Sequence, residues 1–105
     1  MGGKLAYNMI RTNSGNILAV ADAELLNKRF TGQGGAVLDV NEEFFGDKVG
    51  DEEDVVRFIE EADIIVLVGK RSVGLGNRLG LVSPGSELVI GGVPYVQVFK
   101  SFMQA

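Results

Sequence analysis

The chain predicts an α+β domain: a two-layer sandwich in which a mixed sheet carries hairpins at both ends and helices on one face. Three observations point there. Apolar runs separated by turn residues open and close the chain, an acid-led amphipathic helix stands in the middle, and an unbroken apolar run, Ile64-Ile65-Val66-Leu67-Val68, follows that helix. Hairpins at both ends favour antiparallel or mixed pairing over an all-parallel sheet. The predicted order is β-β-α-β-α-β-α-β-β, in a single domain over residues 1–105.

Residues 4–12 alternate, with Leu5, Tyr7 and Met9 on one side and Ala6, Asn8 and Ile10 on the other. Residues 17–21, Ile-Leu-Ala-Val-Ala, form a second extended run. Between the two, Asn13, Ser14, Gly15 and Asn16 are turn formers, and Gly15 accepts positive φ without steric cost. Asp22 then suits the N-cap of a short helix over residues 23–28 that turns Leu25 and Leu26 to the core. Residues 31–35 form a flexible loop. Residues 36–40 form a third strand, and the chain stays extended towards Phe44 and Phe45.

The clearest helix opens at Asp51-Glu52-Glu53-Asp54, where acids in the first turn complement the helix dipole. Val55, Phe58, Ile59 and Ala62 recur at three- and four-residue spacing and make one buried stripe. The run at 64–68 reads as a strand buried on both faces. Residues 70–79 read as a further helix, with Leu75 and Leu79 one turn apart, stopped by Gly80. Residues 88–90 and 93–99 close the chain as a hairpin across Gly91 and Gly92. Pro94 has no N–H to donate, so the last strand starts at an edge or bulge.

Composition removes whole classes of chemistry. There is no cysteine, hence no disulfide, thiolate nucleophile or zinc–thiolate site. There is no histidine, which removes the commonest general base and the commonest metal ligand. The acidic block at 51–54 lacks the spacing and central glycine of a calcium loop. No catalytic residue, metal or cofactor is expected. No run approaches the roughly 18 apolar residues of a membrane helix, so a cytoplasmic location is expected.

The net charge of −4 is unevenly spread: residues 1–38 carry four cations against two acids, residues 39–63 two against eleven, and residues 64–105 four against one. The total argues against bulk nucleic-acid affinity while leaving room for a local basic face.

The segment from Val68 to Gly80 is the most suggestive. A buried strand runs through Gly69 into a helix carrying Lys70, Arg71 and Arg78, the place where free helix N–H groups bind phosphate. The motifs do not match. Gly69-Lys70 is followed by arginine where a phosphate loop needs serine or threonine, and Gly74, Gly76 and Gly80 miss the dinucleotide spacing. Packing of helix on sheet is the favoured account of Gly74 and Gly76, each of which costs about 1 kcal/mol relative to alanine, with close approach of a ligand or partner as the alternative. Ser72 and Lys70, two residues apart on a helix, point away from each other rather than forming a nucleophile pair. Gly69, Lys70, Arg71, Arg78, Gly91 and Gly92 are therefore the candidate ligand-binding residues. The apolar C-terminal strand near a sheet edge is the candidate partner surface.

Three stretches carry a resemblance: Val20-Ala21-Asp22-Ala23-Glu24-Leu25-Leu26, Leu67-Val68-Gly69-Lys70-Arg71-Ser72-Val73, and Ile90-Gly91-Gly92-Val93-Pro94-Tyr95-Val96-Gln97-Val98. With them the chain resembles a small archaeal family, domain of unknown function 424. The resemblance implies a two-layer α/β sandwich of uncharacterised function with no catalytic residues to carry over. It also implies that acidic residues occur at the position of Lys70, and that glycines at 74 and 76 depart from a more alanine-rich pattern.

The expectation is a non-enzymatic binding or assembly domain. It takes a protein partner or a second copy through the C-terminal strand, or RNA through the basic ends. The alternative is a small ligand- or phosphate-binding domain or enzyme using residues 69–80.

Overall fold

The computed structural model describes residues 3–46 and 48–100. In chain order the elements are β1 (Leu5–Thr12), β2 (Gly15–Asp22), β3 (Lys28–Thr31), β4 (Val37–Val40), α1 (Glu42–Phe45), β5 (Lys48–Gly50), α2 (Glu52–Ile59), β6 (Ile64–Val68), α3 (Lys70–Arg78), β7 (Leu88–Ile90) and β8 (Val93–Phe99). Six strands make one mixed sheet in the order β5-β1-β2-β6-β8-β7, and β3 and β4 form a separate ribbon. The α+β class, the mixed sheet and the hairpins at both ends are as predicted. β2 and β6 are the one parallel pair of the sheet, with Ala21 beside Val68, and all other neighbours are antiparallel.

Strand parity divides the core. Leu18 and Val20 of β2 and Ile65 and Leu67 of β6 face α2 and α3, where they meet Val55, Val73 and Leu75. Ala19, Ala21, Val66 and Val68 face the other way and meet Leu38 and Val40 of β4 and Phe45 of α1. Both faces of β6 are covered, which is why its sequence is apolar without alternation. The ribbon and α1 thus add cover on the face opposite the two longer helices.

Two stretches of the predicted order differ. Residues 23–28 form a single 3-10 turn, Ala23–Leu25, and then β3. The Asp22 side chain does not cap that turn, and Asn27, at φ 65, takes a left-handed conformation that stops any helix there. Its N–H donates to the Val40 carbonyl at 2.6 Å, which joins the ribbon instead. Residues 41–45, predicted extended, hold α1, and β5 follows at Lys48–Gly50. Asn41 caps α1 by accepting from the Phe44 N–H at 2.8 Å. β5 then adds to the free side of β1.

α2 has the predicted stripe: Val55 and Ala62 are buried, Phe58 and Ile59 pack against them, and Phe58 stacks at a tilt on Tyr7 with ring centroids 5.8 Å apart. Its acids cap it, with the Asp51 N–H donating to Asp54 Oδ2 at 2.9 Å. α3 ends at Gly80, φ 75. The Leu81 N–H bonds the Gly76 carbonyl and the Gly80 N–H bonds the Asn77 carbonyl, the two bonds of a Schellman motif. Among the described residues no helix is long and apolar enough to cross a membrane.

The two helix glycines separate on inspection. A Cβ at Gly76 would stand 2.6 Å from Leu67 Cδ1 and 2.9 Å from Val82 Cγ2, so α3 lies close on the sheet there. A Cβ at Gly74 would meet only Arg78 Nη1 at 3.6 Å, an ordinary contact, and nothing in the structure explains that glycine. Gly76→Ala is therefore expected to destabilise by about 1 kcal/mol or more, overpacking outweighing the gain in helix propensity. Gly74→Ala is expected to stabilise by about 0.5–1 kcal/mol. Urea denaturation of the two variants reads both signs.

Candidate functional site

The junction of β6 and α3 is built around one carboxylate. On β2, Asp22 shares the parity of Leu18 and Val20, so its side chain points to the helix-bearing face. The parallel register brings it beside Gly69, where α3 begins. Asp22 Oδ2 accepts from the Arg71 N–H at 3.1 Å, and Oδ1 accepts from the Ser72 N–H and the Ser72 hydroxyl, both at 2.9 Å. Both side chains are buried. Gly69 takes the N-cap position, which its missing side chain cannot serve, so the cap comes from another strand. Gly69 is required twice over: its φ is 105, and a Cβ would stand 2.4 Å from the Asp22 carboxyl carbon.

Arg71 closes the arrangement from outside. Its Nη1 donates to Glu24 Oε2 at 2.9 Å and its Nη2 bonds Glu24 Oε1, a two-point pair, while Nη2 also reaches the Lys4 carbonyl at 3.1 Å. The hydrogen bond from Arg71 is the main cause holding the Glu24 carboxyl below its ordinary range. Gly3 lies close against this guanidinium, whose end a Cβ would push aside.

Gly69, Lys70, Arg71 and Gly92 line one cleft of about 230 Å³, together with Asp22, Glu24 and Pro94. Lys70 is exposed and makes no ion pair among the described residues. The other two sequence candidates lie elsewhere. Arg78 sits at the far end of α3 in an ion pair with Glu52. Gly91 and Gly92 have φ 57 and 83, as a primed two-residue hairpin turn requires, and a Cβ on Gly91 would stand 2.9 Å from the Thr31 carbonyl oxygen. Ser72 is wholly buried with its hydroxyl given to Asp22, so it is no nucleophile for Lys70.

This geometry bears on what the cleft can hold. The N–H groups of Arg71 and Ser72, which would bind a phosphate, already bind Asp22. An anion entering the cleft meets two carboxylates, Asp22 and Glu24, and of the two cations that line it Arg71 is already paired, which leaves Lys70.

Removing the cap strands buried donors. Asp22→Ala is expected to cost roughly 3 kcal/mol, and Ser72→Ala about 1 kcal/mol. Asp22→Asn falls between the two, because its NH2 must face an N–H; chemical denaturation ranks the three. For Glu24 the lowered folded-state value means that its pair with Arg71 stabilises fully above the usual glutamate value of about 4.3 and fades as pH falls below it. Its side chain is 56% exposed, so the effect is small. Glu24→Gln is expected to flatten that part of the acid dependence in melts taken from pH 6 downwards.

Comparison with known proteins agrees with this fold. No curated protein matches the chain. A crystal structure of an uncharacterized conserved protein from Methanopyrus kandleri matches with a TM-score of 0.79 at 23% identity, over 92% of this chain and 91% of that one. The family described as Protein of unknown function (DUF424) matches residues 10–101, nearly the whole chain, and the protein belongs to that family.

Proposed function

We propose that this is a non-enzymatic binding or assembly domain that takes a protein partner as an added strand at its C-terminal sheet edge. One observation carries the reading. The C-terminal strand β8, expected at an edge, lies inside the sheet between β6 and β7, and it is β7 that ends the sheet; its Leu88 and Val89 are each 63% exposed, more than any other large apolar side chain among the described residues. The outward N–H and C=O groups of an edge strand are a template for another strand. Next to it, Ser86, Leu88, Tyr95, Val96 and Gln97 line a groove of about 330 Å³ that offers side-chain recognition beside the backbone edge.

An RNA partner has less support. Among the described residues Lys4, Arg11, Arg71 and Arg78 are each ion-paired with an acid of the same chain, which takes these four cations from any face that would track a phosphate backbone. A second reading, a small-ligand site, draws on the four candidate residues that share the cleft at the β6–α3 junction.

Val89→Lys places a charge on the edge without touching the core. The expected outcome is that a specific partner recovered from a native source with the wild-type chain is lost with Val89→Lys, while the melting temperature stays within about 3 °C. Equal recovery by both chains removes the edge reading. A thermal-shift screen against nucleotides and phosphorylated metabolites is expected to give no shift at millimolar concentration, and a saturable shift would restore the small-ligand reading.

A further inference from the structure

We infer that the strand added at this edge belongs to a second copy of the chain, paired antiparallel to β7 about a two-fold axis at Val89. This rests on the edge reading above and names its occupant.

The first ground is continuity. The register carries one apolar row across all six strands: Val49, Ala6, Ala21, Val68, Tyr95 and Leu88. The row is buried in its centre and ends on exposed Val49 at one edge and exposed Leu88 at the other. A further apolar strand prolongs it.

The second ground is charge. β5 carries exposed Lys48, a residue that discourages strand addition, whereas β7 is Leu-Val-Ile with no charge. An uncharged apolar strand selects another of the same kind, and β7 is itself one.

The third ground is self-complementarity. In a two-residue primed hairpin the closing residues Ile90 and Val93 exchange their backbone bonds, so the N–H and C=O of Val89 face outward. About a two-fold axis, Val89 exchanges both bonds with Val89 of the second copy, and Leu88 lies opposite its Ile90. Glu87 falls opposite glycine, Gly91, and the two Glu87 side chains are then about 13 Å apart along the strand, beyond the screening length. Joining β7 to β5 of another copy would instead bring Lys48 onto the apolar edge and propagate without closure.

A strand of three residues buries less than the roughly 1,200–2,000 Å² of a stable interface, so the dimer is weak and concentration-dependent. Sedimentation velocity of the full chain from micromolar to millimolar concentration tests it. The wild-type chain and a Val49→Lys control are expected to shift from monomer to dimer, and Val89→Lys to remain monomeric. Amide exchange of wild-type Val89 is expected to slow as concentration rises, a readout that needs no variant. A wild-type chain monomeric throughout, a Val89→Lys chain that dimerises equally, or exchange at Val89 that ignores concentration overturns the second copy as occupant. If the wild-type chain is monomeric and yet holds another protein in a Val89→Lys-sensitive manner, the occupant is wrong and the edge reading stands.

Discussion

The Asp22 carboxylate at the start of α3 fixes how the two halves of the molecule meet. It sits at the last residue of β2, yet the groups it satisfies belong to residues 71 and 72. That bond can form only if β2 and β6 run parallel with Ala21 beside Val68, and only if Gly69 leaves the strand at φ 105. Side chains alternate along a strand, so a slip of one residue would turn Asp22 to the ribbon face and expose the Arg71 and Ser72 N–H groups. Everything between the two strands, the ribbon, α1, β5 and α2, is the crossover that returns the chain to this register. The carboxylate is buried and hydrogen-bonded on both oxygens, so it specifies the register as well as stabilising it.

Why parts of this were legible in the sequence and parts were not follows from the range of the interactions. α2 and the end of α3 are local: acids at 51–54, a stripe at Val55, Phe58 and Ile59, and Gly80 beyond the last turn each act within a few residues. β6 was legible because burial on both faces leaves a run with no polar residue. Asp22 was misleading for the opposite reason. Followed by Ala-Glu-Leu-Leu, it has the form of a local helix cap, but its side chain is used nearly fifty residues away, and without it residues 23–28 have no cap and bend at Asn27. Gly69 carried a hint of its role, a glycine between strand and helix, but not whether the anion it makes room for is a ligand or the protein's own. The single turn of α1 had a readable signal, Asn41 before two glutamates, too short to outweigh the extended pattern around it. β5 had none, being three residues that pair only because β1 has a free side.

The uneven charge along the chain finds its answer in the same contacts. Lys4 meets Asp51, Arg11 meets Glu61 and Arg78 meets Glu52, in each case a cation of a basic segment against an acid of the acidic middle. Most of these groups are half exposed or more, and each pair is worth little on its own. Their effect lies in placement: α2, which carries much of the acid, lands between the first strand and α3, which carry the cations. Three of the cations that the basic ends could offer to nucleic acid are thus paired within the molecule.

A protein that supplies its own anion to a helix N-terminus has committed that N-terminus to structure. For a phosphate to bind there, it would have to displace a carboxylate held by three hydrogen bonds and attached to the sheet, and then share the cleft with Glu24. The proposed reading therefore looks to surfaces that folding leaves unsatisfied. Of the two sheet edges, one carries a lysine and the other carries only leucine, valine and isoleucine. The two glycines before β8 serve that same edge. Both turn the chain tightly, and Gly91 lies close on Thr31, which sets the hairpin tip against the ribbon and leaves the far side of β7 open. A pre-ordered strand pairs with less loss of conformational freedom than a mobile one, and this is the physical reason for which the proposed reading places binding at the C-terminal hairpin rather than at the glycine junction of α3.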